Sequence, residues 1–339
     1  MTQMKAALFY GPEKGLEIGY TTKPVPAPNH ILVKIKASSL CHSDFTLLDN
    51  ERPAPSYPIV PGHEATGVVE SVGSDVTGFA PGDAVGFLLY RDYCNSCPAC
   101  SVIQMACPKG SLQGFSVDGY FAEYAAVDAR SALKLPDGMD LVSAAPLFCA
   151  GLTAYHGVKK CNLQAGNYIG IMGVGGLGHL AIQYAEKLGL KPIAIDIDNA
   201  RLTDALNLGA VAAFNTRDPE FSNEIRKVTG GGLPAVCVFS GVTAAYASAV
   251  QCLAIGGLLM AVGMANGDLP VTSMQVAMGL IRVQGASSGR PDEMAECITF
   301  SHRHNILPKT TEYSLDDFPK MIDLMRAGNF HGRMVVTSF

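Results

Sequence analysis

The chain has 339 residues, 48% of them hydrophobic, and a formal charge of -5. That length exceeds one modest core and suits two domains, each able to bury its own interior without disulfide staples. Acidic and basic residues are mixed along the sequence with no basic stripe to neutralise a phosphate backbone, so nucleic acid is not an expected partner.

The amino terminus, MTQMKAALFYGPEKG, has no charged segment followed by a long apolar one, and glycines interrupt the apolar runs well short of the roughly 18 residues that a membrane helix needs. The expectation is a cytoplasmic protein with no membrane partner. From residue 1 to about 147, short β-branched runs (HILVKIKAS, ATGVVESVG, AVGFLLY) alternate with Gly- and Pro-rich stretches such as VPAPNH and FAPGDAVG. This texture predicts a β-rich domain with long loops.

Within it, CNSCPACSVIQMAC gathers Cys94, Cys97, Cys100 and Cys107, four of the ten cysteines. In a reducing cytoplasm such thiols are metal ligands or catalytic groups more often than disulfides. The spacing C-x2-C-x2-C-x6-C can close four sulfurs around tetrahedral zinc, with tight turns expected at Asn95-Ser96 and Pro98-Ala99. An iron–sulfur cluster is the alternative, since the run echoes ferredoxin spacing with a longer last gap. A DNA-binding finger is disfavoured, because the loop has no Lys or Arg and no paired His follows it. Four thiolates leave no open position for substrate, so the loop is expected to hold structure.

Two further segments in this region carry metal-ligand residue types: LCHSD, with Cys41 and Asp44, and PGHEATG, with His63 and Glu64. PLFCAGLTAYHG adds Cys149. Singly, these read as core thiols and a turn histidine. Together, two Cys and one His make the ligation of a catalytic zinc with its fourth position open.

From about 148 to 284, the buried-looking runs YIGIMGV, KPIAIDI, AVCVFSG and GGLLMAVGM alternate with helical stretches such as LGHLAIQYAEKLG. The fold class is α/β, a doubly wound parallel sheet. Gly173, Gly175 and Gly178 form G-x-G-x-x-G between a strand and a helix, with Gly176 and Leu177 inside it. Such glycines let a pyrophosphate approach a helix amino terminus. Asp196 closes the next strand, where its carboxylate would accept from ribose hydroxyls and repel a 2′-phosphate, which favours NAD over NADP. Arg201 either flanks the same ribose or is a solvated helix charge. Beyond 285, two helices and a last strand, RMVVTSF, are expected. Cys161, Cys237, Cys252 and Cys297 read as small core residues.

Taken in order, CHSD, GHE, the four-cysteine loop, CAGLTAYHG, GVGGLG with its later Asp, and the terminal GRMVV resemble the zinc-dependent alcohol dehydrogenases of the medium-chain dehydrogenase family, especially those of yeast-like chain length. The resemblance covers nearly the whole chain. It implies a GroES-like catalytic domain (1–147) completed by 285–339, with a Rossmann domain (148–284) between. It further implies reversible oxidation of a primary or secondary alcohol to an aldehyde or ketone by hydride transfer to NAD. By the same resemblance, Cys41, His63 and Cys149 are catalytic zinc ligands with Glu64 behind them, and Cys94, Cys97, Cys100 and Cys107 hold a structural zinc. Asp44 would orient His63, and Ser43 would take the alcohol proton. His42 and Arg333 would lie near the cofactor phosphates, Thr153 beside the nicotinamide, and Val262 within the cofactor set. A homodimer or homotetramer joined at the sheet edges is also implied.

Three features depart from the family pattern. Thr46 stands where many relatives end their proton relay in histidine. The third and fourth loop cysteines are separated by six residues, where seven are usual. Leu89, five positions before Cys94, replaces a common aromatic wall in a chain without tryptophan. A wider apolar pocket, and hence a medium or bulky substrate, is the expectation. The alternatives are a polyol dehydrogenase or biosynthetic carbonyl reductase on the same scaffold, or a dinucleotide-binding protein without catalysis.

Overall fold

The structure is a computed structural model that describes residues 2–339. It begins with an antiparallel pair, β1 (Gln3–Phe9) and β2 (Leu16–Thr22). Next come β3 (His30–Ser39), the short helix α1 (Phe45–Leu48), β4 (Ala65–Val72) and β5 (Ala84–Phe87). In β3, Ile31, Val33 and Ile35 are buried while Lys34 and Lys36 face solvent, the alternation of a half-buried strand. These three residues share a core with Val69, Val85, Phe87 and Tyr120.

After β5 the chain makes β6 (Tyr90–Arg91), α2 (Pro98–Val102), β7 (Ser111–Leu112), β8 (Tyr124–Asp128), β9 (Ala132–Lys134) and α3 (Leu141–Ala144). The short run AVGFLLY, expected as strand, is therefore divided: β5 ends at Phe87 and β6 starts at Tyr90. Pro98-Ala99, expected as a turn, instead opens α2 with Cys97 as its N-cap. Proline suits the first turn of a helix, where its missing N–H costs no hydrogen bond.

The chain divides into two compact units: Met1–Cys149 with Gly289–His302 and Leu307–Phe339, and Ala150–Ser288 with Arg303–Ile306. The second unit contains α4 (Ala150–Lys159), β10 (Tyr168–Met172), α5 (Gly178–Lys187), β11 (Lys191–Asp196), α6 (Asn199–Asn207), β12 (Ala212–Asn215), α7 (Phe221–Thr229), β13 (Leu233–Val238), α8 (Thr243–Cys252), β14 (Leu253–Ala261), α9 (Ser273–Ala277) and β15 (Ile281–Gly285). All its sheet pairings are parallel, in the order β12-β11-β10-β13-β14-β15. The connection reverses direction at β10, which makes the carboxyl ends of β10 and β13 the switch point at which open parallel sheets bind ligands.

The tail α10 (Pro291–His304), β16 (Thr310–Ser314), α11 (Phe318–Arg326) and β17 (Arg333–Ser338) includes one strand more than expected. β16 pairs in parallel with β17, which joins the end of β3 in the order β16-β17-β3-β4-β5-β9, while β8 pairs with the start of β3 on the edge opposite β4. Among the described residues no single helix is long and apolar enough to cross a membrane.

Candidate active site

Where β3 ends, Leu40 is buried and Cys41 leads into a tight turn, His42–Asp44. Asp44 faces inward because both of its oxygens are used: Oδ2 accepts from the Cys41 amide at 2.9 Å, and Oδ1 lies 2.8 Å from His63 Nδ1. His63 precedes β4 and is 2% exposed. Cys149 closes the turn Ala145–Phe148. Ligand atoms of Cys41, His63, Glu64 and Cys149 all lie within 4.8 Å of one another.

The electrostatics of this cluster fit a cation. A hydrogen bond with Cys149 holds the Cys41 thiol well below its usual range, and the same bond, with burial, pushes Cys149 well above. Burial works against charge on His63, yet Asp44 and Cys41 beside it raise the imidazole well above its ordinary value. Burial raises Glu64 to about 7 against the pull of Arg333. Glu64 Oε2 pairs with Arg333, while Oε1 is buried without a hydrogen-bond partner. Two sulfurs, one imidazole whose other nitrogen is fixed by a carboxylate, and an orphaned carboxylate oxygen form a donor set suited to zinc.

Arg333, expected near cofactor phosphates, is buried in β17 and donates to Glu64 and, at 3.2 Å, to Ser39 Oγ. Ser43 and Thr46 are half-buried and His42 is exposed. Leu89 is buried, and its carbonyl accepts from Gln113 N at 2.9 Å. Phe115, which sequence reasoning did not single out, lies with its ring centroid 5.2 Å from that of His63. Only its place in the loop GFSVDGY could have drawn attention to it.

The four loop cysteines also gather within 4.8 Å. Cys94 Sγ is 3.6 Å from Cys107 Sγ and 4.0 Å from Cys100 Sγ. Asn95 turns the chain at φ +53°, and the short turn Gln104–Ala106 closes the six-residue gap. The Ser96 amide lowers the Cys94 thiol to about 5, whereas burial lifts Cys100 to about 12. Thiols this close fit a metal that replaces their protons.

In the second unit, Gly173 follows β10 at φ +89°, a conformation that side chains resist. A Cβ on Gly178 would sit 1.9 Å from the Gly173 carbonyl, so only glycine lets α5 begin there, with Leu177 as its N-cap. A Cβ on Gly175 would meet only Arg201 Nη1, at 3.8 Å, which leaves its face, beside Gly176, open for a ligand. Asp196 is 6% exposed and anchors this loop: Oδ2 accepts from Val174 N at 2.6 Å, and Oδ1 from Ile197 N at 2.7 Å and Asp198 N at 3.0 Å. Arg201 Nε lies 3.7 Å from Asp198 Oδ2. Thr153 is buried in α4, and Val262 is half-buried just after β14. Cys161, Cys237, Cys252 and Cys297 are buried, as expected.

Residues 27–137 match the family described as alcohol dehydrogenase GroES-like domain, and residues 176–303 match zinc-binding dehydrogenase. An alcohol dehydrogenase of Geobacillus stearothermophilus is 34% identical over 335 residues, 98% of each chain. Another, from Moraxella sp. (strain TAE123), is 32% identical over 98% of this chain and 99% of its own. The crystal structure of the alcohol dehydrogenase from Aeropyrum pernix superposes with a TM-score of 0.89 at 30% identity, covering 98% of this chain and 99% of that one. With its donor set of two cysteines and a histidine, its four-cysteine loop and its glycine turn, the chain belongs to the zinc-dependent alcohol dehydrogenases of the medium-chain dehydrogenase family.

Proposed function

We propose that this alcohol dehydrogenase oxidises medium or bulky apolar primary or secondary alcohols, and reduces the matching aldehydes and ketones, with NAD as hydride carrier. The observation that carries the reading is the buried cluster of Cys41, His63, Glu64 and Cys149, with Asp44 fixing the imidazole. Cys41, His63 and Cys149 would hold one zinc and Cys94, Cys97, Cys100 and Cys107 a second. The catalytic ion supplies a Lewis acid that makes an alcohol hydroxyl easier to deprotonate.

The chain's own residues do the rest. Asp44 keeps the proton of His63 on Nδ1, so that Nε2 presents its lone pair to the cluster. Ser43 Oγ receives the alcohol proton and passes it to a cofactor ribose hydroxyl or to water. Loss of that proton lets the substrate carbon release its hydride to the nicotinamide. Gly173, Gly175, Gly176 and Gly178, at the amino terminus of α5, bind the pyrophosphate, assisted by His42. Asp196 and Arg201 face the adenosine ribose, where the carboxylate disfavours a 2′-phosphate. Thr153 and Val262 border the nicotinamide, and Arg333 holds Glu64.

The relay is tested by substitution. Ser43→Ala is expected to lower turnover on the order of a hundredfold, as loss of a positioned proton acceptor does, while Thr46→Ala changes it by less than about threefold. Comparable losses would assign the relay to the threonine.

Leu89 in place of an aromatic wall supports the larger substrates. Across lengthening primary alcohols, kcat/KM with NAD should rise roughly threefold or more per methylene, the value of burying each one. A series that peaks at ethanol, or equal use of NADP, sinks the respective part of this reading.

Homo-oligomerisation belongs to the same proposal. β15 is an edge strand with Val283 exposed, and Met274, Val276 and Met278 in and beside α9 are exposed near it in sequence. An apolar, unpaired sheet edge suits a second copy of the chain. A cytoplasmic setting is supported by ten free cysteines.

A further inference from the structure

Side chains from two neighbouring strands converge on the residues just before Cys94. Pairing of β3 with β8 sets His30 opposite Asp128, and both grip Asp92. His30 is 1% exposed, with Nε2 2.9 Å from Asp92 Oδ1. Its Nδ1 is buried without a hydrogen-bond partner, so the ring proton resides on Nε2 and is donated to Asp92. Asp92 sits at φ +54°, and its amide donates to Asp128 Oδ2 at 3.0 Å. Asp128 is fully buried and also accepts from Arg130, at 3.0 Å from Nε and 2.6 Å from Nη2. Arg130 then reaches forward: Nη1 donates to the Tyr93 carbonyl at 2.9 Å, and the guanidinium lies 4.2 Å over the Tyr93 ring. Cys94 is the next residue.

His30, Asp92 and Asp128 bring ligand atoms within 4.8 Å, close enough for a third cation. The pairing argues against one, because Asp128 already carries a guanidinium on both of its oxygens, and Asp92 receives His30 on one oxygen and Arg91 Nε, at 3.1 Å, on the other.

We infer that His30 is a positioning residue for the structural zinc loop: through Asp92 it fixes the left-handed backbone that delivers Cys94, and so governs how long the loop retains its metal. This rests on the reading of Cys94 to Cys107 as a zinc site. The first ligand of a loop with a six-residue last gap has little slack with which to recover a displaced sulfur. Loss of an outlying partner that orients a ligand costs about 10- to 100-fold in metal affinity.

The test is zinc release from the zinc-loaded enzyme into excess chromogenic chelator, with Cys149→Ser run alongside to identify the phase that belongs to the loop. His30→Leu should speed the loop phase about tenfold or more and leave the catalytic phase within about twofold. His30→Gln, whose amide can donate to the same carboxylate, should bring the loop phase back to within about threefold of wild type. Asp92→Gly tolerates the left-handed backbone but lacks the carboxylate, so it should release zinc as fast as His30→Leu; it also carries the test if the leucine variant does not fold. An unchanged loop phase, or equal acceleration of both phases, overturns the inference. So does a third zinc per chain that His30→Leu removes. A loop that holds no zinc in wild type shows as a single equivalent per chain before chelation, and overturns the structural-zinc reading along with this one.

Discussion

Cys149→Ser is expected to lower turnover by about a thousandfold or more and to reduce zinc from about two ions per chain toward one. A serine hydroxyl is a far poorer zinc ligand than a thiolate, and the buried set is left with Cys41, His63 and a carboxylate shared with Arg333. The lost Lewis acid is worth several kcal/mol, and each 1.36 kcal/mol is about tenfold in rate. Elemental analysis beside NAD reduction with an alcohol panel checks both halves. Full zinc with full activity would remove Cys149 from the catalytic set. One zinc in active wild type, lost in the variant, would mean that the four-cysteine loop carries none, and iron in that loop would make it a cluster site.

The second large effect concerns stability. Arg333→Leu leaves Glu64 buried with neither oxygen facing its guanidinium partner, and removing one member of a buried pair costs about 3–5 kcal/mol. For a folding unit of the size that carries this pair, Met1–Cys149 with Gly289–His302 and Leu307–Phe339, the melting transition should fall by roughly 6 to 20 °C. The double variant Arg333→Met with Glu64→Gln should recover more than half of that loss, because no unpaired charge remains. A single variant that melts within about 2 °C of wild type would show that Arg333 does not stabilise the folded unit. The same calorimetry on metal-free protein separates the ion pair from any effect on zinc binding.

Arg333 also shows where sequence reading runs short. Its partner Glu64 lies 269 positions away, and no local spacing encodes that contact. The glycine turn, the cysteine spacings and strands such as β3 were legible because each is a local rule: a conformation only glycine adopts freely, a loop that closes on a metal, an alternation that buries one face. The strands that sequence reasoning passed over lack such a signature. Four of the five residues of β15 are exposed, and those of β12 are half-buried throughout, so neither shows the apolar run of a buried parallel strand. β16, TTEYS, has no fully buried residue at all. Asp196 was read for its charge toward a ribose; that it also braces the glycine loop through the Val174 amide depended on a crossing between two strands.

The two cysteine-rich clusters differ in how much chain each must organise. Cys94 and Cys107 are 13 positions apart, so the loop draws its four sulfurs from one local stretch of chain. Cys41, His63 and Cys149 come from three separate segments and meet only once β3, β4 and the turn before Cys149 have packed together. An ion that binds only the native state stabilises it by the full linkage term, about 4 kcal/mol at a thousandfold excess over its dissociation constant, whereas an ion that also binds the unfolded chain contributes less. On the proposed assignment, zinc at Cys41, His63 and Cys149 would therefore stabilise the native fold by the larger share of its binding free energy, and zinc at the local loop by the smaller.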